Sequence, residues 1–530
     1  MSGQKSVVEL GKIRPMVEQS EPCPVCTCTN VGYEFRAGNR RLFRCGACDL
    51  LFVPQSVKGE EQSIDVESQV ISSESRDPVV VGRLAEASLA RLQSRGPIDG
   101  IRYCVAGKGR DQFVDCARAD GLELVDTTPE LLGDDLVDAY VLFGVLGEVA
   151  HPLEQLSSVG KVLKPGGLLL LTVPTVDSVQ ARRHKSQWTE FESQRITFFS
   201  QHGLSALLVR AGYHNIMTWP EPNGLTVLCR KKADEKGRPR LSIVLPVYNE
   251  RATFEQLIET VLEKTFDIID SEIIIVESNS NDGSRELVRQ YESHSEVKVI
   301  YENEPRGKGH AVRNGLNHVS GDVILIQDAD LEYDVDDYDA VIEPIVSLQR
   351  LFVLGSRHKG SWKMREFEQR KMLSAVFNSG QLFFTWLINV TCGTRLKDPF
   401  TMYKVFHREC LYGLQLESNR FDLDWEIVIK FIRKGLVPLE IPVNYWSRSF
   451  GEGKKVRPFL DPVLWMIAFV KFRYGKLYHS ATSGKTKFVI SHFHPQDRSM
   501  VRPVSSPRRK TARCRYKPHC MGHPSWLVKG

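Results

Sequence analysis

Seven carboxylates crowd the fifteen positions 325–339, LIQDADLEYDVDDYD, at the end of the apolar run VILI. Acids at such density suggest a cation site, a calcium loop or a solvated turn. A calcium loop of the helix–loop–helix kind needs glycine at its sixth position and glutamate at its twelfth. Counted from Asp328, those positions hold Tyr333 and Asp339, so that chemistry is not expected. Asp334, Asp336, Asp337 and Asp339 are expected to form a solvated acidic turn. Asp328, Ala329 and Asp330 differ, because they directly follow VILIQ, an apolar strand able to hold its end rigid. Two carboxylates two residues apart there can grip one hard cation and leave coordination positions for diphosphate oxygens.

A second constellation is CPVC (23–26) with CGAC (45–48), a C-x2-C-x18-C-x2-C spacing. Four thiolates in two tight turns suit tetrahedral zinc, and eighteen intervening residues suit a β-hairpin. With Cys23, Cys26, Cys45 and Cys48 all ligating, no position stays open for water, so the Zn²⁺ is structural. Cys514, His519, Cys520 and His523 near the C-terminus show no comparable spacing.

The third is IRYCVAGKGRDQF (101–113), read as a strand, a glycine turn at Gly107 and Gly109, and a helix start, with Asp126 nineteen residues after Gly107. That arrangement is how α/β folds hold an adenosine ribose.

The elements that position these groups follow from the chain as a whole. At 530 residues it exceeds one hydrophobic core, and its 42% apolar, 25% charged composition is that of globular domains. The net charge of +5 is a property of the tail. Residues 498–530 hold nine Lys or Arg and no acid, and the remainder carries −4. A basic fold built for nucleic acid is not expected. The N-terminus lacks the apolar core of a signal peptide, and twelve cysteines without one argue for a reducing, cytoplasmic setting. No run approaches the ~18 apolar residues of a spanning helix. QLFFTWLINV (381–390) and PVLWMIAFV (462–470) read as core helices or as helices touching a membrane surface, since KFRYGK follows the second. Strands and helices alternate twice, so the fold class is α/β. The expected domains are a zinc ribbon at 20–53, a Rossmann-like α/β domain at 80–230, a second α/β domain at 241–480, and a basic, disordered tail at 490–530. Residues 55–78 read as a linker or a surface helix.

In the second α/β region LSIVLPVYNE, EIIIVESNSNDGSREL, VKVIYENEPRGKGHAVRNGL and GDVILIQDAD each read as a strand running into a polar turn. Ligands of parallel sheets bind beyond the carboxyl ends of the strands, where Glu250, Glu277, Lys308, Asp328 and Asp330 fall. RGKG is not a Walker loop, since no Ser or Thr follows the lysine. Its amides and Lys308 could approach a phosphate, and a purely structural turn is an equal reading.

These motifs, with VLGSR, DPFTMYKVF, RFDLDWEIVIKFIRKG and NYWSRSFGEGKK after them, resemble glycosyltransferase family 2, and within it the dolichyl- or polyprenyl-phosphate sugar transferases. The resemblance implies a GT-A fold and an inverting, metal-dependent transfer from a UDP- or GDP-linked sugar to a polyprenyl-phosphate or saccharide acceptor. By it Pro246, Tyr248, Glu250, Glu277, Ser278, Lys308 and Ala329 line the nucleotide sugar. Asp328, Asp330 and Glu332 hold Mg²⁺ or Mn²⁺, and Arg357, Arg448 and Lys454 reach phosphates. Where the family writes DDGS this chain has Glu277, Ser278, Asn279 and Ser280, and a base-contacting aspartate is lost or replaced. A hydroxyl acceptor would need a general base, for which Asp424 or Glu426 stands nearest in sequence. The implied setting is the cytoplasm or the cytoplasmic face of a membrane, with peripheral contact.

Residues 100–230 resemble class I S-adenosylmethionine-dependent methyltransferases, most specifically in LKPGG followed by a strand. The family places an acid before its glycines, whereas this chain has Cys104, Val105 and Ala106. About ten residues stand where a helix and a strand should complete the adenine pocket. A retained fold without methyl transfer is expected. The alternatives are a bifunctional enzyme acting on a glycan and a non-enzymatic zinc-ribbon scaffold with an anion-binding tail.

Overall fold

The computed structural model describes residues 21–54, 78–93, 100–126, 136–232, 237–357, 371–446, 460–475 and 477. Arg448, Lys454, the basic tail and nearly all of the 55–78 segment lie outside the described residues.

The cysteine-rich segment forms the expected hairpin, β1 (Val31–Ala37) with β2 (Arg40–Cys45), followed by β3 (Leu51–Phe52). The next strands are β4 (Arg102–Gly107), β5 (Glu123–Leu124), β6 (Val137–Phe143), β7 (Leu163–Pro174), β8 (Thr197–Phe198), β9 (Tyr213–Glu221) and β10 (Gly224–Lys231). Strand β8 pairs with β3, so the first sheet runs β1-β2-β3-β8 and joins the cysteine hairpin to the domain behind it. Cys23, Cys45, Cys48, Leu50 and Phe52 share one core with Leu142, Leu169, Leu204 and Leu207. The hairpin is too small to bury a core of its own and draws one from its neighbour.

The second sheet runs β5-β4-β6-β7-β10-β9, with β5, β4, β6 and β7 parallel and β10 antiparallel to both of its neighbours. Among the described residues its parallel edge ends at the two-residue β5, with no strand beyond it.

The third sheet comprises β11 (Arg240–Val247), β12 (Asp270–Glu277), β13 (Val297–Tyr301), β14 (Val323–Ile326), β15 (Phe352–Ser356), β16 (Lys404–His407) and β17 (Leu439–Pro442), ordered β13-β12-β11-β14-β16-β15-β17. The run β13-β12-β11-β14 is parallel, and β12 and β14 carry the uninterrupted runs Ile273–Val276 and Val323–Ile326, as burial on both faces requires. All four of these strands end toward one edge, which gathers the polar turns expected from the sequence.

Helix Gln201–Arg210 sits between the second and third sheets. Ala206 belongs to the core of the third sheet, whereas Leu204 and Leu207 belong to that of the second. Gln201 donates to the Lys434 carbonyl (2.6 Å) and to Thr218 Oγ1 (2.8 Å). Arg210 spans three parts of the chain, donating to the Val25 carbonyl between two cysteines (2.9 Å) and to the Ser347 carbonyl (2.7 Å). His202 is buried in the same seam, with Nε2 3.5 Å from the Gln349 carbonyl and Nδ1 lacking a hydrogen-bond partner.

Burial, then the nearby Arg350 charge, push His202 from 6.5 down to about 4. The folded value lies below the unfolded one, so the unfolded chain takes the proton first. Stability is complete above about pH 6.5 and is lost as pH falls towards 4. Between pH 7 and 5 the protein is expected to lose about 2 kcal/mol that His202→Gln does not lose. Urea midpoints of the two proteins at both pH values check this.

Candidate functional site

Strand β14 is wholly buried and is followed by Gln327, which has no exposed surface. The Gln327 side chain accepts from the Tyr338 hydroxyl (3.1 Å) and donates to the Asp328 carbonyl (3.0 Å), pinning the next turn. Asp330 is 6% exposed, and its Oδ1 accepts from the Glu332 amide (3.2 Å). Thr253 Oγ1 donates to the Ala329 carbonyl (2.9 Å), which ties the β11 turn to this one.

Lys308, the first residue of helix Lys308–Leu316, places its ammonium on the Asp328 carboxylate. Burial alone would lower the Lys308 pKa, but the fields of Asp328, Asp424 and Asp330 outweigh it and raise the value. Asp424 lies 2.8 Å from the ammonium of Lys404, a fully buried lysine on β16. Burial raises the Asp424 pKa against the pull of Lys404 and Lys308, and burial lowers that of Lys404. Three aspartates and two lysines therefore share one electrostatic cluster with a net negative charge.

Asp328 and Asp330 offer hard oxygen donors at a rigid strand end, a set that fits Mg²⁺ or Mn²⁺. Glu332 does not converge with that pair among the described residues; its Oε2 accepts from the Tyr445 hydroxyl (2.8 Å). Two carboxylate ligands would leave such an ion open to further oxygen donors.

The turns after β11 and β12 form one unit. Pro246 and Tyr248 are half-buried where β11 runs out. Asn249, with φ +52°, accepts at Oδ1 from the Asn281 amide (3.0 Å), and its own amide donates to Ser280 Oγ (3.0 Å). The Glu250 amide donates to Ser284 Oγ (2.9 Å) and the Arg251 amide to Asp282 (3.1 Å). Glu277 has no exposed surface, accepts from the Asn279 and Ser280 amides (3.1 and 2.6 Å), and pairs with Arg285 at 3.0 Å. The carboxylate that stands for the missing aspartate thus caps its own turn. Ser278 Oγ donates to Glu302 (2.8 Å), which also holds His310 (2.7 Å) and Asn314 (3.2 Å).

The glycines of RGKG answer to packing. A Cβ on Gly307, at φ +104°, would stand 2.5 Å from the Asn419 carbonyl, and one on Gly309 would stand 2.6 Å from that of Arg420. These close approaches bring segment 418–420 against the helix that presents Lys308. Arg357 is taken up by Asp398, to which its Nε and Nη2 donate at 2.8 and 2.7 Å, with the Arg357 amide adding a third bond at 3.0 Å. Both side chains are almost wholly buried, so this guanidinium orders the DPFTM turn. Asp398→Ala would strand the Arg357 charge, and a loss of about 3–5 kcal/mol is expected by urea unfolding; Arg357→Met together with Asp398→Ala should recover most of it.

Of the two suspects in DLDWE, Asp424 reaches the cluster and Glu426 does not. Glu426 is fully buried and accepts from the Glu417 and Ser418 amides (2.9 and 2.7 Å) and from Lys430 (2.5 Å). The acidic turn also divides. Asp336 and Asp339 are exposed, whereas half-buried Asp334 and Asp337 accept from Asn444. Sequence reasoning missed Lys404, Asp398 and Glu302. A lysine inside the apolar run YKVF was the available signal for the first.

The Sγ atoms of Cys23, Cys26, Cys45 and Cys48 lie within 4.8 Å of one another, the one such group of three or more ligand-type residues among the described residues. Soft thiolates at that separation fit tetrahedral zinc.

The glycine turn after β4 fits its expected ligand poorly. Gly107, at φ +95°, is pressed against the Phe143 carbonyl of β6, and the Lys108 amide donates to the same oxygen (3.1 Å). The Asp126 carboxylate pairs with Arg110, whose helix is capped by Gly109. Lys108 pairs with Glu148 at 3.2 Å, and buried Arg195 donates to the Gly144 carbonyl (2.6 Å). Cys104, where an acid would anchor the cofactor, is buried and donates to the Val125 carbonyl (3.2 Å). These residues do not make a cradle for S-adenosylmethionine.

Residues 242–411 match the family Glycosyl transferase family 2, and residues 28–218 match a Methyltransferase domain family whose span includes Cys45 and Cys48. The chain is 28% identical over 217 residues to a dolichol-phosphate mannosyltransferase of Pyrococcus furiosus, an alignment covering 41% of this chain and 59% of that one. It is 27% identical over 259 residues to a dolichyl-phosphate beta-glucosyltransferase of Trichomonas vaginalis, covering 46% and 76%. Among solved structures, a glucosyl-3-phosphoglycerate synthase from Mycobacterium tuberculosis in complex with Mn²⁺, UDP-glucose and phosphoglyceric acid aligns over 44% of this chain and 80% of that one, at 18% identity and a TM-score of 0.34. At that similarity it informs neither the site nor its chemistry.

Proposed function

We propose that this chain, which carries a glycosyltransferase family 2 domain behind a methyltransferase-type domain, moves a sugar from a nucleotide-sugar donor to a polyprenyl-phosphate-type acceptor with inversion at the anomeric carbon. The observation that carries the reading is the pair Asp328 and Asp330 at the end of β14, with Lys308, Asp424 and Lys404 around it. Relatives named for dolichyl-phosphate sugar transfer support the acceptor class.

A divalent ion held by Asp328 and Asp330 would offset the charge that grows on the departing diphosphate. The stapled turns at Asn249–Glu250 and Ser278–Ser284 hold the strand ends against which the nucleotide lies. Lys308 is placed to trade Asp328 for a phosphate oxygen, because its ammonium stays charged at the cluster. Asp424 is engaged by Lys404, which suits it to fix that lysine near an anionic acceptor more than to collect a proton. A phosphate acceptor is already anionic near neutrality and needs no general base, so the arrangement favours it over a hydroxyl. No described helix is long and apolar enough to cross a membrane; we place the reaction at the cytoplasmic face of one.

Nucleotide release from UDP- and GDP-sugars, with Mn²⁺ and a short water-soluble polyprenyl phosphate, tests the proposal. Release that depends on the acceptor is expected with one donor. Release that depends only on a saccharide hydroxyl, or transfer of a methyl group with no sugar transfer, would overturn it.

A further inference from the structure

Helix Lys371–Cys392 has two unlike faces. Inward, Gln381 donates to Asp398 (3.1 Å), Phe384 packs edge-on against Trp425 (4.8 Å) and Ile388 is fully buried. Trp425 adjoins Asp424, so this face rests on the residues behind the electrostatic cluster. Outward, Leu382, Phe383, Trp386 and Val390 follow helical spacing, and Trp386 is 58% exposed.

Helix Leu460–Tyr474 lies beside it, with Arg473 donating to the Thr391 carbonyl (2.7 Å) and Trp465 meeting Phe384 (6.1 Å). Its Phe469 and Phe472 are buried, while Ile467, Val470 and Tyr474 point outward, Tyr474 at 66% exposure. Most of the large apolar side chains that the described residues leave exposed thus lie on these two neighbouring helices. Scattered apolar groups need no explanation, but exposed apolar stripes on two adjoining helices do.

The patch has a cationic border from the other domain. Arg182 of helix Val179–His184 lies against Gly393, its guanidinium 3.6 Å from where a Cβ would stand. Arg183 and Lys185 beside it, and Arg395 just beyond the helix end, are exposed. An aromatic-rich apolar stripe edged by arginine and lysine matches an anionic lipid surface, where rings enter the headgroup layer and cations meet phosphates.

We propose that this two-domain face seats the protein on an anionic bilayer, with the methyltransferase-type domain supplying the cationic edge and the glycosyltransferase domain the apolar one. The inference rests on the polyprenyl-phosphate reading and adds how such an acceptor is met: one helix separates the lipid surface from the Asp398 and Trp425 layer beneath the site.

The test uses the full chain with vesicles of phosphatidylcholine alone and of phosphatidylcholine mixed with phosphatidylglycerol. Co-sedimentation is expected with the anionic vesicles only, weakening as salt rises. Arg182→Glu with Arg183→Glu, and separately Trp386→Asp, should each lower that binding by about tenfold or more. Transfer to a water-soluble acceptor should stay unchanged in both variants, and transfer to an acceptor embedded in vesicles should fall with binding. Binding as expected without sugar transfer to any polyprenyl phosphate would uphold the seat and reject the acceptor. Sugar transfer by a chain that ignores anionic vesicles, or binding untouched by either variant, would overturn the seat. A dimer that Trp386→Asp dissociates, without vesicle binding, would assign the face to a second copy and also overturn it.

Discussion

Replacing Asp328 and Asp330 together by alanine is expected to lower sugar transfer by about 10³-fold or more, the scale on which a preorganised electrostatic contact to a leaving group acts. Both stand where β14 leaves the core, and Gln327 pins the turn through the Tyr338 hydroxyl, so the strand should survive their loss. Removing them leaves Lys308 and Lys404 facing only Asp424, and the site turns from net negative to net positive. A cation should then bind poorly, and Mn²⁺ titration of the residual rate should show no saturation. Exposed Asp336, eight residues from Asp328 in the same acidic stretch, supplies the control. Asp336→Ala should leave the rate unchanged. Steady-state nucleotide release for the three proteins, with unfolding midpoints to confirm folding, decides the matter. Transfer at the parental rate by the double variant would dissociate these aspartates from the chemistry.

Stripping the cysteine cluster should have the largest effect on stability. Structural zinc contributes folding free energy outright, on the order of 10 kcal/mol in small isolated domains. Here part of that should persist, because Cys48 and Phe52 share a core with Leu204 and Leu207. Cys48→Ser is expected to abolish bound zinc and cost several kcal/mol. The loss should travel, since a Cβ on Gly203 would stand 2.9 Å from the Cys48 carbonyl and Arg210 holds the Val25 carbonyl. Helix Gln201–Arg210 carries that contact on to Ser347 and Lys434. Metal content, calorimetric unfolding and transfer rate should therefore fall together. Unchanged unfolding in a zinc-free Cys48→Ser protein would show the cluster to be dispensable.

Local geometry was legible wherever it depends on neighbours in the chain. Four thiols in C-x2-C pairs need only two turns and a hairpin to converge, and they do. The position of Asp328 and Asp330 was legible because an apolar strand that stops at polar residues must present them at its end. Groups whose role depends on a distant partner were not. Arg357 read as a phosphate ligand until Asp398, forty-one residues on, took its guanidinium. Glu332 read as a third metal ligand, but it does not group with Asp328 and Asp330 among the described residues. Glu277 stood for a base-contacting aspartate and turned inward to its own turn and Arg285.

The sequence by itself determined two α/β domains, a tetrathiolate group and an acidic strand end, because periodicity and spacing act over a few residues. Only the tertiary structure decided that Lys308, Lys404 and Asp424 join the aspartates, from four separate segments. It alone decided that the cysteine hairpin has no core of its own, and that arginines of one domain border the apolar helices of the other. Burial and charge pairing act through space, and the spacing along the chain carries no record of them.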